Sequence, residues 1–325
     1  MTADLPAVLP PDREYRVVAD DGVELSVEEL DPADGGVPEL TAVLVHGYTL
    51  DRRSWLFQRD GLAHSTAPRI RQVLYDHRSH GRSGRSPRRA CTIEQLGRDL
   101  AAVIRATAPE EGTEGRVVLI GHSLGGMTIM ALAEHNPELF VEQICGVAFL
   151  NTSAGDIGRS GLPKPILSRR NPLMPVLALL SRWGPSARAV ERGRDICGSL
   201  LRRLTRKLTF GDEAVNPALV ELMHLMIRAT SFEVMTDFLA TFGTHNRYAA
   251  LAGLRYAKAL VLGSDADRLI QYEHSEAIAT LLPDVELVRV PGSGHMTMLE
   301  APKIVNKHLL DLLSRCAEPP PAGRS

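Results

Sequence analysis

Cysteine is scarce in this chain: Cys91, Cys145, Cys197 and Cys316 are its only four among 325 residues. None sits in a CxxC pair or at a metal-ligand spacing, which argues against zinc-finger, iron–sulfur and dithiol-redox classes. Scattered thiols make no disulfide framework either, and they are expected to serve as small buried hydrophobes in a reducing compartment. Aromatics are only 5% of residues, which is poor material for base-stacking platforms, so no nucleic-acid partner is expected. The longest apolar run, around Leu173–Leu180, falls well short of the about 20 residues a membrane helix needs, so no transmembrane segment is expected. The first eleven residues hold Asp4 and three prolines without a basic stretch leading into an apolar one. That pattern predicts no secretory leader, and a cytoplasmic location is expected. A net charge of −2 selects no partner by itself. With 44% hydrophobic and 23% charged residues, the chain can bury a large core, as one big domain or one carrying an insert.

Several short runs read as strands. Tyr15–Val18 and Val23–Leu30 flank Asp20-Asp21-Gly22, a sequence suited to a hairpin turn. Others are Thr41–Val45, Val73–Tyr75, Val117–Ile120, Val147–Leu150, Ala259–Leu262 and Val285–Val290. Between them lie segments of helical periodicity: Thr92 to Thr107, opened by the capping-box spacing Thr92-x-x-Gln95, then Met127 to Asn136, and finally Lys303 to Leu313. This alternation predicts an α/β fold with a mostly parallel central sheet and helices on both faces. The rhythm stops near Asn151 and resumes at Ala259, and the stretch between reads as helices broken by prolines and glycines. The predicted organisation is a core built from residues 1–151 and 251–317, a helical cap over 152–250, and a disordered tail at 318–325.

One motif carries chemistry. Gly121-His122-Ser123-Leu124-Gly125 follows an apolar strand and precedes a helical pattern, the setting of a nucleophile elbow. A serine on so sharp a turn tolerates only glycine two residues to either side, and its hydroxyl stands over a helix N-terminus that favours developing negative charge. The pattern is weak alone; the strand before it and the helix after it make it specific. A serine hydroxyl needs a base. Among eleven histidines, His295 in Gly292-Ser293-Gly294-His295 follows the last strand on a flexible approach. An acid should orient that imidazole. Asp267, beyond the strand Ala259–Leu262, is the preferred candidate, and Asp265 remains the alternative. The oxyanion of an acyl-transfer intermediate needs N–H donors, and the backbones of Leu124 and of Tyr48, in His46-Gly47-Tyr48, are the candidates.

Taken together, the chain resembles the α/β-hydrolase superfamily over nearly its whole length. The resemblance is carried by Val45-His46-Gly47-Tyr48, by Tyr75-Asp76-His77-Arg78-Ser79-His80-Gly81-Arg82-Ser83, by the Ser123 elbow, and by Asp267 and Gly294-His295. It looks most similar to bacterial esterases and lipase-like serine hydrolases with a helical cap. That resemblance implies the α/β-hydrolase fold, no cofactor and no metal, with His77, His80 and His122 in structural roles. It also implies cleavage of a carboxylic ester or related acyl bond through an acyl-enzyme. An acceptor other than water would make the protein an acyltransferase or cyclase. A carrier-bound acyl group would make it a thioesterase, and some members of the fold bind ligands without hydrolysis. Serine in place of aspartate as nucleophile speaks against dehalogenase and epoxide hydrolase chemistry. Ser264 stands where many relatives carry glycine, three residues before the acid.

Charge is unevenly placed. Thr152–Thr209 holds twelve basic residues against three acidic ones. A solvated helix face accounts for this; the sharper expectation is attraction of an anionic partner, an acyl carrier or a lipid headgroup beside the small-molecule acyl substrate. Met223 and Met226, in the later cap segment, are expected to serve ordinary core packing, with an adaptable acyl pocket as the alternative.

Overall fold

A computed structural model describes residues 5–107, 115–157, 198–211 and 215–318. Eight strands form one sheet: β1 (Arg13–Val18), β2 (Glu24–Leu30), β3 (Leu40–Val45), β4 (Ile70–Tyr75), β5 (Val117–His122), β6 (Ile144–Leu150), β7 (Lys258–Ser264) and β8 (Val285–Val290). Their order is β1-β2-β4-β3-β5-β6-β7-β8. The β1–β2 hairpin and the β2–β4 pair are antiparallel, and the other five pairs are parallel. This is the predicted sheet. Strand β4 starts three residues earlier than its apolar run because its polar positions find partners. Arg71 bonds Asp31 at 2.8 Å, and the Gln72 amide donates to the carbonyl of Arg59 at 2.9 Å.

Alternation along the parallel strands divides the core. Val43, Val45, Leu119, Val147, Phe149 and Val261 point to one face. There they meet α2 (Ile93–Ala106), α3 (Leu124–His135) and α7 (Tyr272–Leu281). Ala42, Leu44, Val118, Ile120, Ala148 and Leu260 point to the other, against α1 (Leu56–Ala63) and α8 (Pro302–Ala317). A strand buried on both faces reads as a nearly continuous apolar run, as the centres of these strands do. Helix α8 outruns its predicted end at Leu313, since Cys316 is itself buried and its thiol donates to the Cys145 carbonyl at 3.5 Å. Cys91 is buried, Cys145 partly so, and Cys197 lies outside the described residues. At the start of α2 the Thr92 hydroxyl accepts the Gln95 N–H at 3.2 Å, but the returning half of the box is missing. The Gln95 amide turns instead to the carboxylates of Asp20 and Asp99.

Between β6 and β7 the described segments include three helices: α4 (Gly198–Thr209), α5 (Pro217–Ala229) and α6 (Phe232–Phe242). Most of the predicted breaks and basic residues, within 158–197, lie outside the described residues, as does the tail at 319–325. No helix among the described residues is long and apolar enough to cross a membrane.

The loop after β4 is tied down by an ion pair with no solvent exposure. Arg78 reaches both oxygens of Asp99 on α2 at 2.6 Å and Asp21 of the β1–β2 turn at 2.7 Å. Removing Asp99 leaves the buried guanidinium with Asp21 alone, and its two N–H groups that faced α2 without an acceptor. Asp99→Ala is expected to cost about 3 kcal/mol of stability, read as a lowered denaturant midpoint with an unchanged slope.

Candidate active site

The parallel strands all end at one edge, and each sequence-derived candidate follows such an end. At the end of β5 the chain turns through Ser123 (φ 53°, ψ −117°) directly into α3. A non-glycine residue in this region is strained, and strain of this kind persists only where its surroundings hold it. Here they do: the Ser123 N–H donates to the Leu150 carbonyl at 3.0 Å, and the Ser123 carbonyl accepts the Thr152 hydroxyl at 2.6 Å. The flanking glycines answer to contact distance. A Cβ on Gly125 would lie 2.0 Å from the Val45 carbonyl oxygen, and one on Gly121 would lie 2.6 Å from the Gly126 nitrogen.

Past β8, His295 is held by its ring and its backbone. Its Nδ1 bonds Asp267 Oδ2 at 2.8 Å. Asp267 Oδ1 accepts the N–H groups of Leu269 and Ile270 at 2.8 and 2.9 Å. Burial pushes the Asp267 carboxyl upward, but His295, the Ile270 N–H and the Asn151 amide outweigh it and hold it below its ordinary range. The carboxylate therefore stays charged at neutral pH and can accept the Nδ1 proton, which leaves Nε2 as the free basic nitrogen. Asp265, the alternative, bonds the Gly292 N–H at 2.7 Å instead. The His295 carbonyl accepts from Nε2 of His122 at 2.9 Å.

The loop after β3 rests on three buried imidazoles. His46 Nδ1 donates to the Gly47 carbonyl at 2.8 Å, so its Nε2 can accept the His77 N–H at 2.9 Å. His77 Nε2 returns a bond to the His46 carbonyl. His80 donates through Nδ1 to the Arg78 carbonyl and accepts the Thr49 N–H at Nε2, 3.2 Å away. His46 and His80 act as acceptors, which requires those two rings to be neutral. Burial keeps them so, pushing both down to about 4, and it lowers His122, a donor through Nε2, to about 3. Among the described residues no group of three or more His, Cys, Asp or Glu is placed to hold a metal ion.

Ser123, His295 and Tyr48 line one cavity of about 230 Å³. Its other walls are largely apolar, with Met127 from α3, Met223 and Ile227 from α5, and Leu239 and Phe242 from α6. Of the two methionines singled out in α5, Met223 reaches the cavity. The Tyr48 hydroxyl donates to the Met235 carbonyl of α6 at 2.5 Å, fastening the loop after β3 to that helix. Motif reading missed Asn151, which donates to Asp267 at 3.0 Å and to Ser264 at 2.6 Å. Its place just past the end of β6, at the edge shared with the other candidates, is the signal that could have found it.

Residues 42–308 match the model of the alpha/beta hydrolase family. The chain belongs to that family. A protein of Variovorax paradoxus (strain S110) named as a carbamate hydrolase, RutD, is 26% identical over 256 residues, covering 77% of this chain and 83% of its own. In structure, this alpha/beta hydrolase is similar to a thermophilic esterase from Thermogutta terrifontis, with a TM-score of 0.72, 23% identity, and 94% and 100% of the two chains covered. An enol-lactonase from Burkholderia xenovorans LB400 superposes with a TM-score of 0.64 and 21% identity, covering 92% and 100%. At such identities the structural likeness shows the shared fold.

The buried imidazoles set a pH dependence. With folded values near 4 against an ordinary 6.5, the unfolded chain binds more protons between those limits, so stability falls as pH drops through that window. Asp267, depressed in the fold, adds a loss of the same sign at still lower pH. The denaturant midpoint is expected to drop steadily from pH 7 to pH 4.5; a flat midpoint over that range would contradict the assignment of neutral rings.

Proposed function

We propose that this alpha/beta hydrolase cleaves a carboxylic ester or related acyl bond through an acyl-enzyme on Ser123. The observation that carries the reading is the buried Asp267–His295 pair opening into the same small, mainly apolar cavity as the strained Ser123. In this mechanism the Ser123 hydroxyl attacks the substrate carbonyl while Nε2 of His295 takes its proton. Asp267 keeps the imidazole in the tautomer with a free Nε2 and stabilises it once charged. Negative charge on the former carbonyl oxygen is held by the N–H groups of Leu124, at the start of α3, and of Tyr48. His295 then gives its proton to the leaving alcohol, and water repeats the sequence to release the acid. Helices α5 and α6 would act as the cap that closes the acyl side of the cavity.

Volume limits the acyl group. About 230 Å³ is smaller than the roughly 300–1,000 Å³ of pockets that enclose drug-sized ligands. Short acyl chains are therefore expected to be preferred in a p-nitrophenyl ester series, butyrate well above palmitate. Ser123→Ala should abolish turnover and labelling by a fluorophosphonate. Asp267→Ala should lower kcat by about 10⁴-fold, with Asp265→Ala close to wild type. Equal losses from both aspartate variants would count against this assignment of the acid.

The exposed face of α4 supports an anionic acyl substrate within the same chemistry. Arg203 and Lys207 lie one turn apart on it and are exposed, while Arg202 pairs with Glu221 of α5 at 2.8 Å. Thr209, at the end of the same helix, lines the cavity. Arg203 and Lys207 do not line that cavity, but charge on the helix leading to it raises the local concentration of an oppositely charged substrate in a salt-dependent way. Arg203→Glu with Lys207→Glu is expected to raise KM for an acyl thioester of a phosphorylated carrier and to leave KM for a neutral ester unchanged. A KM for the anionic thioester that ignores both salt and these substitutions would remove this reading of the helix.

A further inference from the structure

Three consecutive backbone N–H groups of the loop bearing His295 are fixed by residues that do not belong to that loop. The carbonyl of Thr209, at the last residue of α4, accepts from His295 at 2.7 Å and from Met296 at 3.2 Å. The third, from Gly294, goes to Oε1 of Glu300 at 2.9 Å. The other oxygen of the same carboxylate accepts the N–H of Gly211, two residues past the end of α4, at 2.8 Å. Glu300 thus holds one N–H from the exit of α4 and one from the residue before His295. Contact between the two backbones is close. A Cβ on Gly211 would lie 2.3 Å from the Gly292 carbonyl oxygen and 2.6 Å from the Gly294 nitrogen, and one on Gly294 would lie 2.4 Å from the Gly211 nitrogen. Arg268, next to Asp267, donates to the Phe210 carbonyl at 3.1 Å, and Phe210 is buried. The exit of α4 is therefore bonded to the loop of the base and to the loop of the acid at once.

From this geometry we infer that Glu300 is a positioning residue for His295: its carboxylate locks the exit of α4 onto the histidine loop, so that the placement of α4 and of the imidazole are set together. The inference rests on the reading of His295 as the base, and it goes beyond that reading in giving Glu300 and the exit of α4 a part in the chemistry. Only a carboxylate fits the position. Both oxygens accept from backbone N–H groups, and an amide would present an NH2 to one of them, leaving that N–H without an acceptor and two donors facing each other. A displaced imidazole costs the transition state more than the bound ground state, because a shift of about 1 Å at a reacting group can lower the rate on the order of 100-fold.

Glu300→Gln is the test, read in two independent ways on the full-length protein. In the first, kcat for p-nitrophenyl butyrate, normalised to sites titrated with fluorophosphonate, is expected to fall by about 10- to 100-fold with KM within about threefold of wild type; Glu300→Asp, which keeps both oxygens, should recover part of it. In the second, the imidazole proton shared by His295 and Asp267 is followed by proton NMR, assigned by its absence in His295→Ala. Exchange broadening or loss of that resonance in Glu300→Gln is expected. Gly211→Ala, which leaves Glu300 intact but forces the α4 exit away from the loop, should reproduce both effects and serves where Glu300→Gln does not fold. A lowered melting temperature with unchanged kcat and an unchanged imidazole resonance would overturn the inference and leave Glu300 as a purely structural tie. Should the wild-type protein fail to hydrolyse esters or take the fluorophosphonate, the proposed hydrolase fails, while the resonance still decides the coupling between Glu300 and His295.

Discussion

The approach of α3 to the end of β3 is the contact on which the rest of the site depends. Gly125 sits so close to the Val45 carbonyl that no side chain fits between them. That closeness brings the N-terminus of α3 beside the loop carrying Tyr48, so the two candidate oxyanion donors come from elements far apart in sequence. It also leaves Ser123 nowhere to go but the strained turn between β5 and α3. Parallel pairing of β3 with β5 fixes the relative height of those two strand ends. A site assembled at strand ends then inherits the rigidity of the sheet, which is how pre-organised donors avoid reorganising at the moment of reaction.

Buried polarity around this contact is arranged so that neutral and charged groups have separate tasks. The imidazoles of His46, His80 and His122 are kept uncharged by burial and serve as hydrogen-bonding struts for two loops. Asp267 is the reverse case: equally buried, it remains anionic because backbone N–H groups, Asn151 and His295 all converge on it. Farther out, Arg78 and Asp99 form a fully desolvated pair that anchors the loop after β4, on which His77 and His80 ride. An unpaired member of either set would cost more than the bond it makes returns, so these groups stand or fall together.

The helices between β6 and β7 do more than roof the cavity. Through the Tyr48 hydroxyl, α6 grips the loop after β3, and through Thr209 and Gly211 the end of α4 grips the loop of His295. The two loops that would handle the oxyanion and the proton are each bonded to a different helix of that region. These helices and the two loops are thereby joined through the Tyr48 hydroxyl, the Thr209 carbonyl and the Glu300 carboxylate, so under the proposed mechanism a change in the packing of either helix would be passed to the loop it holds.

Local signals made most of the fold legible from sequence. Continuous apolar strands can be stable only in a sheet covered on both faces, and Gly121-x-Ser123-x-Gly125 after such a strand has one sterically reasonable turn to form. Those constraints act over a few residues, so Ser123, the loop of His295 and the alternation of strands and helices could be read directly. Position along the chain favoured Asp267 over Asp265 without fully separating them, because both lie just past β7 within reach of the edge. Folding puts Asp267 against the imidazole and leaves Asp265 on the Gly292 backbone. Nor could the sequence disclose the partners of Asn151, the hydrogen-bonding roles of the buried imidazoles, or Glu300 bridging Gly211 and Gly294, since each depends on residues brought together from distant segments. Short-range sterics wrote the elements and the elbow into the sequence; which side chains meet at the strand ends was decided by the register of the sheet and the seating of α4 and α6 above it.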